Sequence, residues 1–276
     1  MSMKCKPCRY SDFATESYRS IERDLKIRQI YPWHSAASQD FANRKFWEWC
    51  QIAAVLDEFG KLQYGSKGLG FAVGTEPLAS YFAARGCDIL ATDLSTALSS
   101  QGWIDRNEHA ESLENIFYKE LVSRDEFDRR VVFKPADMRT LQGIGGQYDF
   151  LWSSCALEHL GSLDAGFQFI EKSLELLKPG GIAVHTTEYN VSSNADTVAV
   201  GDNVIYRRSD IEDLYEKLSG TAYRMAEPDF DCGNSQQDFE PDLPPYFQGD
   251  KYHIKLLMDG FVATSYLLII ERPPEQ

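Results

Sequence analysis

Hydrophobic positions near the start of this chain follow a helical period. Apolar side chains recur every three or four residues from Phe46 to Phe59, which predicts a helix that ends near Gly60. A shorter helix is expected earlier, in TESYRSIERDLKIR, and the proline and aromatic residues of YPWH separate the two. We therefore expect residues 1–60 to form a helical N-terminal cap on a second domain, residues 61–276.

From residue 67 the pattern changes to short apolar strands that alternate with amphipathic helices. Strands are expected in KGLGFAV, CDILATD, RRVVFKPADM, YDFLWSS and IAVHTTEY, with a closing pair in HIKLLMDGFVATSYLLIIER around Asp259-Gly260. Helices are expected in PLASYFAARG, LDAGFQFIEKSLELLKPGG and SDIEDLYEKLSG, the last with Ser209 as its N-cap. Repeated βα units predict a Rossmann-like α/β fold with a mostly parallel, seven-stranded sheet and helices on both faces.

In one long segment, apolar residues recur at neither helical nor strand spacing. Residues 231–252 are polar and rich in proline, and such long connections are often functional. We expect this segment to be a loop that covers the functional site.

Charge and cysteine content narrow the class of protein. The net charge of −14, with no basic run, disfavours nucleic acid as a partner, because affinity for phosphate backbones rests on Lys and Arg. Neither a signal peptide nor an apolar run of about 18 residues is visible, so no membrane partner and a cytoplasmic location are expected. Six scattered cysteines agree with a reducing compartment. Cys5 and Cys8 form half a zinc site at best, and the alternative is an unstructured N-terminus.

Residues 68–95, GLGFAVGTEPLASYFAARGCDILATDLS, have the outline of a nucleotide-binding βαβ unit. Gly74 permits close approach of a ligand to the backbone, and Pro77 suits the first turn of a helix. Asp93 ends the second strand. Its separation from Gly74 along the sequence is close to the spacing at which a carboxylate reaches the ribose hydroxyls of a bound nucleotide. A tight strand-to-helix turn with no ligand is the alternative.

The turn itself argues against a dinucleotide. A pyrophosphate requires G-x-G-x-x-G against a helix N-terminus, whereas this turn offers Ala72 and Gly74 and places the carboxylate of Glu76 where phosphate would lie. An NAD-dependent oxidoreductase is therefore disfavoured. A ligand with ribose but no phosphate fits better.

Five segments together carry a family resemblance. GFAVGTEPL, Asp93, ADM at 136–138, YDFLWSSCALEHL and LLKPGGIAVHTTEYN resemble, in order and spacing, the class I S-adenosylmethionine-dependent methyltransferases from about residue 45 onward. The resemblance implies S-adenosylmethionine as the cofactor. Its sulfonium carries a positive charge and the molecule has no phosphate, so an acidic turn is acceptable.

The resemblance also implies a role for each matching position. Asp93 would hold the ribose hydroxyls, Leu94 would pack on the adenine, and Asp137 would accept from the adenine amino group with Met138 alongside. The turn would approach the methionine part of the cofactor, and the end of the fourth strand would line the junction between cofactor and substrate. The residues of the turn are Ala72, Val73, Gly74, Thr75 and Glu76. Those at the end of the fourth strand are Ser153, Ser154 and Cys155.

Ala72 departs from the family pattern, which has its first glycine there. An alanine requires a negative φ at this position or a shifted loop. This departure leaves open a catalytically silent module that keeps the fold and binds the cofactor.

Candidate catalytic residues follow the fourth and fifth strands. His159 is a candidate general base or a helix-capping residue, and Glu188 is placed to meet the acceptor substrate. His185 lies within a strand and is expected to pack in the sheet. Glu158, His159 and Cys155 offer too few partners for a metal site, so no metal is predicted.

Other aromatic and histidine positions have weaker signals. Tyr31, Trp33 and His34 could contribute to a lid or pack the N-terminal cap, and His253 has no visible partner. Carboxylates and histidines near the site favour O-methylation of a small molecule, a sugar or a peptide. The oligomeric state is not predicted.

Overall fold

The computed structural model describes residues 3–32, 42–95, 97, 109–247 and 252–275. Helices in this part are α1 (Glu16–Asp24), α2 (Ile27–Ile30), α3 (Arg44–Glu58), α4 (Leu78–Ala84), α5 (Arg124–Arg130), α6 (Leu163–Leu174), α7 (Arg208–Ser219) and α8 (Gln236–Phe239). Strands are β1 (Lys6–Pro7), β2 (Lys67–Gly70), β3 (Asp88–Asp93), β4 (Val131–Pro135), β5 (Tyr148–Ser154), β6 (Gly161–Ser162), β7 (Leu177–Asn190), β8 (Val200–Gly201), β9 (Arg224–Met225), β10 (Leu256–Met258) and β11 (Phe261–Glu271).

One mixed sheet organises the chain, in the order β1-β11-β7-β5-β2-β3-β4, with β9 and β10 also paired to β11. Strands β4, β3, β2, β5 and β7 are parallel, and β11 is antiparallel to β7. The chain moves outward from β2 in both directions, so the strand order reverses between β2 and β5, where ligands bind in this class of fold. The predicted Rossmann-like architecture is confirmed, but the sheet has nine strands rather than seven, because the two-residue strands β1 and β9 also join it.

Strand alternation divides the core into two layers. Phe150 and Trp152 of β5 pack edge-on against Phe82 of α4 on one face. Phe71, directly after β2, and His185 of β7 pack against Phe169 of α6 on the other. Helices therefore cover both faces, as the repeated βα pattern predicts.

The N-terminus is ordered, so the expectation of an unstructured segment is wrong. Strand β1 pairs with β11, and both Cys5 and Cys8 are completely buried. The backbone N–H of Ile269 donates to Cys5 Sγ at 3.2 Å. Burial raises the pKa of Cys5 to about 12, which keeps it a thiol rather than the thiolate that zinc requires.

Several element boundaries differ from the sequence-based expectation. The first predicted helix is interrupted at Lys26, which has a φ of 50° and separates α1 from α2. Helix α7 has Arg207 as its N-cap, so Ser209 lies inside the helix, and Asp210 accepts from the Arg207 backbone N–H instead. The predicted final strand pair is confirmed, with Asp259 and Gly260 both at positive φ.

The proline-rich segment has little regular structure in its described part. Residues 231–247 contain only the single turn of α8 as helix, and residues 248–251 lie outside the described residues. Among the helices that the structure describes, none is long and apolar enough to cross a membrane.

The close packing of β2 against β5 gives a test of the fold. A Cβ on Gly70 would lie 2.3 Å from the Trp152 ring, whereas one on Gly145 would meet nothing within 4 Å. We expect Gly70→Ala to lower the free energy of unfolding by about 1–3 kcal/mol through overpacking. Gly145→Ala is the matched control and should change it little. Urea denaturation measures both, and equal effects of the two substitutions would contradict this packing.

Candidate active site at the carboxyl edge of the sheet

The turn between β2 and α4 is left-handed at two positions. Ala72 has a φ of 46° and Gly74 a φ of 51°. The expected negative φ at Ala72 is therefore wrong, and alanine occupies a conformation that costs an L-residue about 1–2 kcal/mol. The Val73 N–H donates to Thr92 O at 3.1 Å, which fixes the turn to the neighbouring strand β3. The turn thus keeps the backbone path that glycine normally provides.

Asp93 ends β3 beside this turn and organises it. Its Oδ2 accepts from the backbone N–H groups of Gly74 and Ala110, both at 3.0 Å, and its Oδ1 accepts from the Leu94 N–H at 2.7 Å. The side chain is 8% exposed, and burial raises the pKa of its carboxyl group. His109 Nδ1 also lies 3.5 Å from Oδ1, so three backbone N–H groups and this histidine surround the carboxyl group.

Glu76 turns inward from the same loop. Its carboxyl Oε1 accepts from Trp152 Nε1 at 2.7 Å, and the residue is 5% exposed. Burial raises the pKa of Glu76 to about 8. A pyrophosphate at this turn would therefore meet a buried acidic group.

Aromatic side chains pack against one side of the turn between β2 and α4. The Tyr118 hydroxyl donates to Thr75 O and lies 3.1 Å from the Tyr31 hydroxyl. The Tyr31 ring packs against Phe46 and Trp49 of α3. Tyr31 thus packs the cap onto the loop, while Trp33 and His34 lie outside the described residues.

The positions expected around the adenine lie after β3 and β4. Leu94 is half-buried, and Met138 is buried at 6% exposure. Asp137 holds the guanidinium of Arg139 with both oxygens, at 2.7 to 3.1 Å. This contact lowers the pKa of Asp137, and an adenine amino group would share its carboxylate with Arg139.

The end of β5 sends neighbouring side chains to opposite faces. Ser154 lies on the α3 face, where its hydroxyl donates to Glu48 Oε2 at 2.8 Å. Ser153 lies on the α6 face, 2.8 Å from His185 Nδ1. Burial lowers the pKa of His185 to about 3, so this histidine is neutral and packs within the sheet. Ser154, but not Ser153, therefore meets the other polar groups of the site.

Those groups form a buried charge cluster that the sequence analysis missed. Arg44 at the start of α3 pairs with Glu188 of β7 at 2.5 Å and lies 3.7 Å from Glu48. Lys45 pairs with Glu48 at 2.8 Å, and Ser265 of β11 donates to Glu48 at 2.5 Å. The available signal was the spacing of Arg44, Lys45 and Glu48 on a mainly apolar helix.

The ion pairs set the charge states in the cluster. Burial alone would lower the pKa of Arg44, but Glu188 raises it overall. Burial alone would raise the pKa of Glu48, but Lys45 and Arg44 lower it overall. The cluster therefore holds two cations and two carboxylates, in a place where unpaired charges would be costly.

Two atoms of this cluster are buried without a hydrogen-bond partner in the described structure, namely Arg44 Nε and Glu188 Oε2. An unsatisfied buried polar atom costs roughly 1–3 kcal/mol and often marks a functional group. A hydroxyl group is the kind of partner that either atom lacks, since it donates to a carboxylate and accepts from a guanidinium.

A second carboxyl group lies beside Glu188. Single ligand atoms of Cys155, Glu158 and Glu188 all lie within 4.8 Å of one another. The Thr187 hydroxyl donates to Glu158 Oε2 at 3.1 Å, and burial raises the pKa of Glu158. Cys155 has a φ of 47°, and burial raises the pKa of its thiol, so it is not a thiolate nucleophile. The guanidinium of Arg44 already neutralises Glu188, which disfavours a further cation there.

Two predicted histidine positions have clear partners. His159 Nδ1 lies 2.8 Å from the backbone oxygen of Asp202, outside the Arg44 cluster. His253 Nδ1 lies 2.8 Å from Asp242 Oδ2, so the expectation that it has no partner is wrong. His253 also stacks on Phe247, which fastens the 231–247 part of the loop near the start of α3.

The chain is similar to known methyltransferases in sequence over one segment and in fold. Residues 69–185 match a family model described as a methyltransferase domain. No curated protein sequence matches the chain. Among solved structures, magnesium protoporphyrin IX methyltransferase (ChlM) from Synechocystis PCC 6803, with bound S-adenosylhomocysteine, is 12% identical, with a TM-score of 0.50 and 93% of each chain covered. An S-adenosylmethionine-dependent methyltransferase from Mesorhizobium loti is 13% identical, with a TM-score of 0.46, and 79% of this chain and 96% of that one are covered.

The fold and the matched segment define the class. Residues 69–185 match a methyltransferase domain, and the chain has the Rossmann-like fold of S-adenosylmethionine-dependent methyltransferases. The residues present fit that cofactor, because Asp93 ends β3 beside a left-handed turn and Glu76 offers an acidic group to a cationic ligand.

The left-handed alanine gives a direct test of the turn. Ala72→Gly should raise the free energy of unfolding by up to about 1 kcal/mol, because glycine adopts this φ without a steric penalty. Ala72→Val should lower it, since a branched Cβ fits this region worse. Urea denaturation compares the three proteins. A loss of stability in Ala72→Gly would contradict the left-handed conformation.

Proposed function

We propose that this protein transfers the methyl group of S-adenosylmethionine to a hydroxyl group of a small molecule, a sugar or a peptide. The observation that carries the proposal is the buried, unpartnered Oε2 of Glu188 beside Arg44, at the carboxyl edge of the sheet. A hydroxyl acceptor would supply the missing donor there. The methyltransferase class comes from the fold and from the match of residues 69–185.

The cofactor would lie along the turn and the ends of β3 to β5. The backbone of residues 72–76 would meet its methionine part, and Asp93 would accept from a ribose hydroxyl. Leu94, Asp137 and Met138 would surround the adenine. Ser154 contacts Glu48 and Cys155 lies 3.9 Å from Arg44, and the methyl group would pass to the acceptor beside them.

Glu188 is the proposed proton acceptor for the attacking hydroxyl. Methyl transfer to oxygen needs the hydroxyl proton removed and the oxygen aligned with the methyl carbon. Glu188 Oε1 is held by Arg44, which fixes the carboxylate and leaves Oε2 to receive the proton. His159 is the second candidate, because it follows β5 and its Nδ1 contact with the Asp202 carbonyl fixes the orientation of the ring.

The charge balance favours a neutral acceptor. Arg44 and Lys45 are already matched by Glu188 and Glu48, and Glu158 and Glu76 add two more buried acidic groups. An anionic acceptor would meet no unpaired cation in this described cluster. The net charge of −14 argues in the same direction against nucleic acid. A cytoplasmic location is proposed as well, and the six free cysteines support it.

The second candidate function is a catalytically silent module that binds the cofactor. The strained Ala72 favours it, because a position that normally carries glycine has been filled. Calorimetric titration with S-adenosylhomocysteine, with NAD as a control ligand, tests the part that both functions share. A screen of sugar, peptide and small hydroxylated acceptors for methyl transfer then separates them. Cofactor binding without turnover on any acceptor would favour the silent module, and preference for NAD would contradict both.

Substitutions at the two candidate bases sharpen the test. Glu188→Gln removes the proton acceptor and leaves Arg44 without its charged partner, so we expect kcat to fall about 10²–10⁴-fold in protein that circular dichroism and S-adenosylhomocysteine affinity show to be folded. His159→Asn should have a small effect if Glu188 is the base. The opposite ranking would assign the base to His159, and equal, small effects would show that alignment alone supports the reaction.

A further inference from the structure

Glu76 is a buried carboxyl group whose only hydrogen-bond donor in the described structure is neutral. Its Oε1 accepts from the indole N–H of Trp152, and no Lys, Arg or His nitrogen in the described residues lies within ion-pair distance. A carboxylate moved from water into such a place is strongly disfavoured unless a cation accompanies it. Glu76 in the free protein is therefore a neutral acid.

The charged groups that face Glu76 do not change this result. Lys45 of α3 is its nearest cation, but Lys45 is paired with Glu48 at 2.8 Å. Asp93 of β3 and Glu48 both oppose a negative charge on Glu76. The hydroxyls of Tyr31 and Tyr118, which also face this carboxyl group, are neutral, and burial raises the pKa of both. Burial likewise raises the pKa of Glu76, to about 8, which is within reach of physiological pH.

Glu76 also belongs to the turn that would receive the methionine part of the cofactor. S-Adenosylmethionine bears a sulfonium charge that its product, S-adenosylhomocysteine, lacks. An opposite charge within about 4–6 Å favours an ionised carboxyl group by roughly ten- to a thousandfold. The two ligands therefore differ in positive charge, and a nearby positive charge favours the ionised form of a buried, unpaired carboxyl group.

We propose that Glu76 is a charge-sensing residue that distinguishes the cofactor from its product: it loses its proton to solvent when the cationic cofactor binds and stays protonated with the neutral thioether. This inference rests on S-adenosylmethionine being the cofactor. Glu76 would then strengthen binding of the methyl donor and not of the product. The ratio of methyl-donor affinity to product affinity would therefore be higher than in a site where residue 76 carried no charge in either state.

The decisive experiment measures protons rather than activity. Wild type and Glu76→Gln are titrated calorimetrically at pH 7 with S-adenosylmethionine and with S-adenosylhomocysteine, in buffers of different ionisation enthalpy. The glutamine variant imitates the neutral acid. Protons released by every other titrating group, including the amino group of the ligand, are the same in both proteins and cancel in the difference. We expect wild type to release close to one proton more than the variant with S-adenosylmethionine, and no more than the variant with S-adenosylhomocysteine.

Affinity should follow the same pattern. From pH 6.5 to pH 8.5 the affinity of wild type for S-adenosylmethionine should rise more than tenfold relative to the variant, because the proton is easier to lose as pH rises. The relative affinity for S-adenosylhomocysteine should stay constant. Equal proton release with both ligands, or none beyond that of the variant, would overturn the proposal. Failure of both proteins to bind either ligand would instead contradict the proposed cofactor.

A measurement without any ligand tests the neutral state separately. The pKa of Glu76 is raised in the folded protein, so its stabilisation is fully present below about pH 4.3 and is lost as pH rises through 8. The unfolding constant of wild type, relative to Glu76→Gln, should increase about tenfold per pH unit between pH 5 and pH 7. Parallel pH profiles for the two proteins would show that Glu76 is already ionised and would overturn the proposal even if the cofactor binds.

Discussion

The contact between Arg44 and Glu188 joins the N-terminal helical region to the sheet at the place where the chemistry is expected. Arg44 begins α3 and Glu188 lies near the end of β7, and both are almost fully buried. Removing one partner of such a pair leaves an uncompensated charge and typically costs about 3–5 kcal/mol. Because Glu48, Lys45, Ser154 and Ser265 complete the same network, the position of α3 and the polarity of the site depend on one another.

The acidic groups of this edge are neutralised in two different ways. Glu48 and Glu188 have cations at contact distance. Glu76 and Glu158 have neutral donors, an indole and a hydroxyl, and burial raises the pKa of each. The first pair supplies fixed charge, and in the second pair burial favours the protonated form of the carboxyl group. A net charge of −14 is therefore compatible with an ordered, buried polar site.

The fold was largely predictable, because it rests on local periodicity. Alternating strands and helices, the glycine turn after β2 and the hairpin at Asp259-Gly260 all follow from neighbouring residues. Strand β1 was missed because two residues carry no period and form a strand only by pairing with β11. The φ of Ala72 was predicted wrongly, because the bond to Thr92 and the register of β3 hold a conformation that the residue itself disfavours.

The sequence by itself determined the class of the protein and the segment around Gly74 and Asp93, since these residues follow one another along a single βαβ unit. Only the tertiary structure decided that Ser154 faces the site while Ser153 faces α6, and that Arg44 meets Glu188. Glu48 and Ser154 are 106 positions apart, and no local pattern encodes such a contact. The buried charges were decided by packing, because burial and partners, rather than residue type, set whether a carboxyl group carries a cation or a proton.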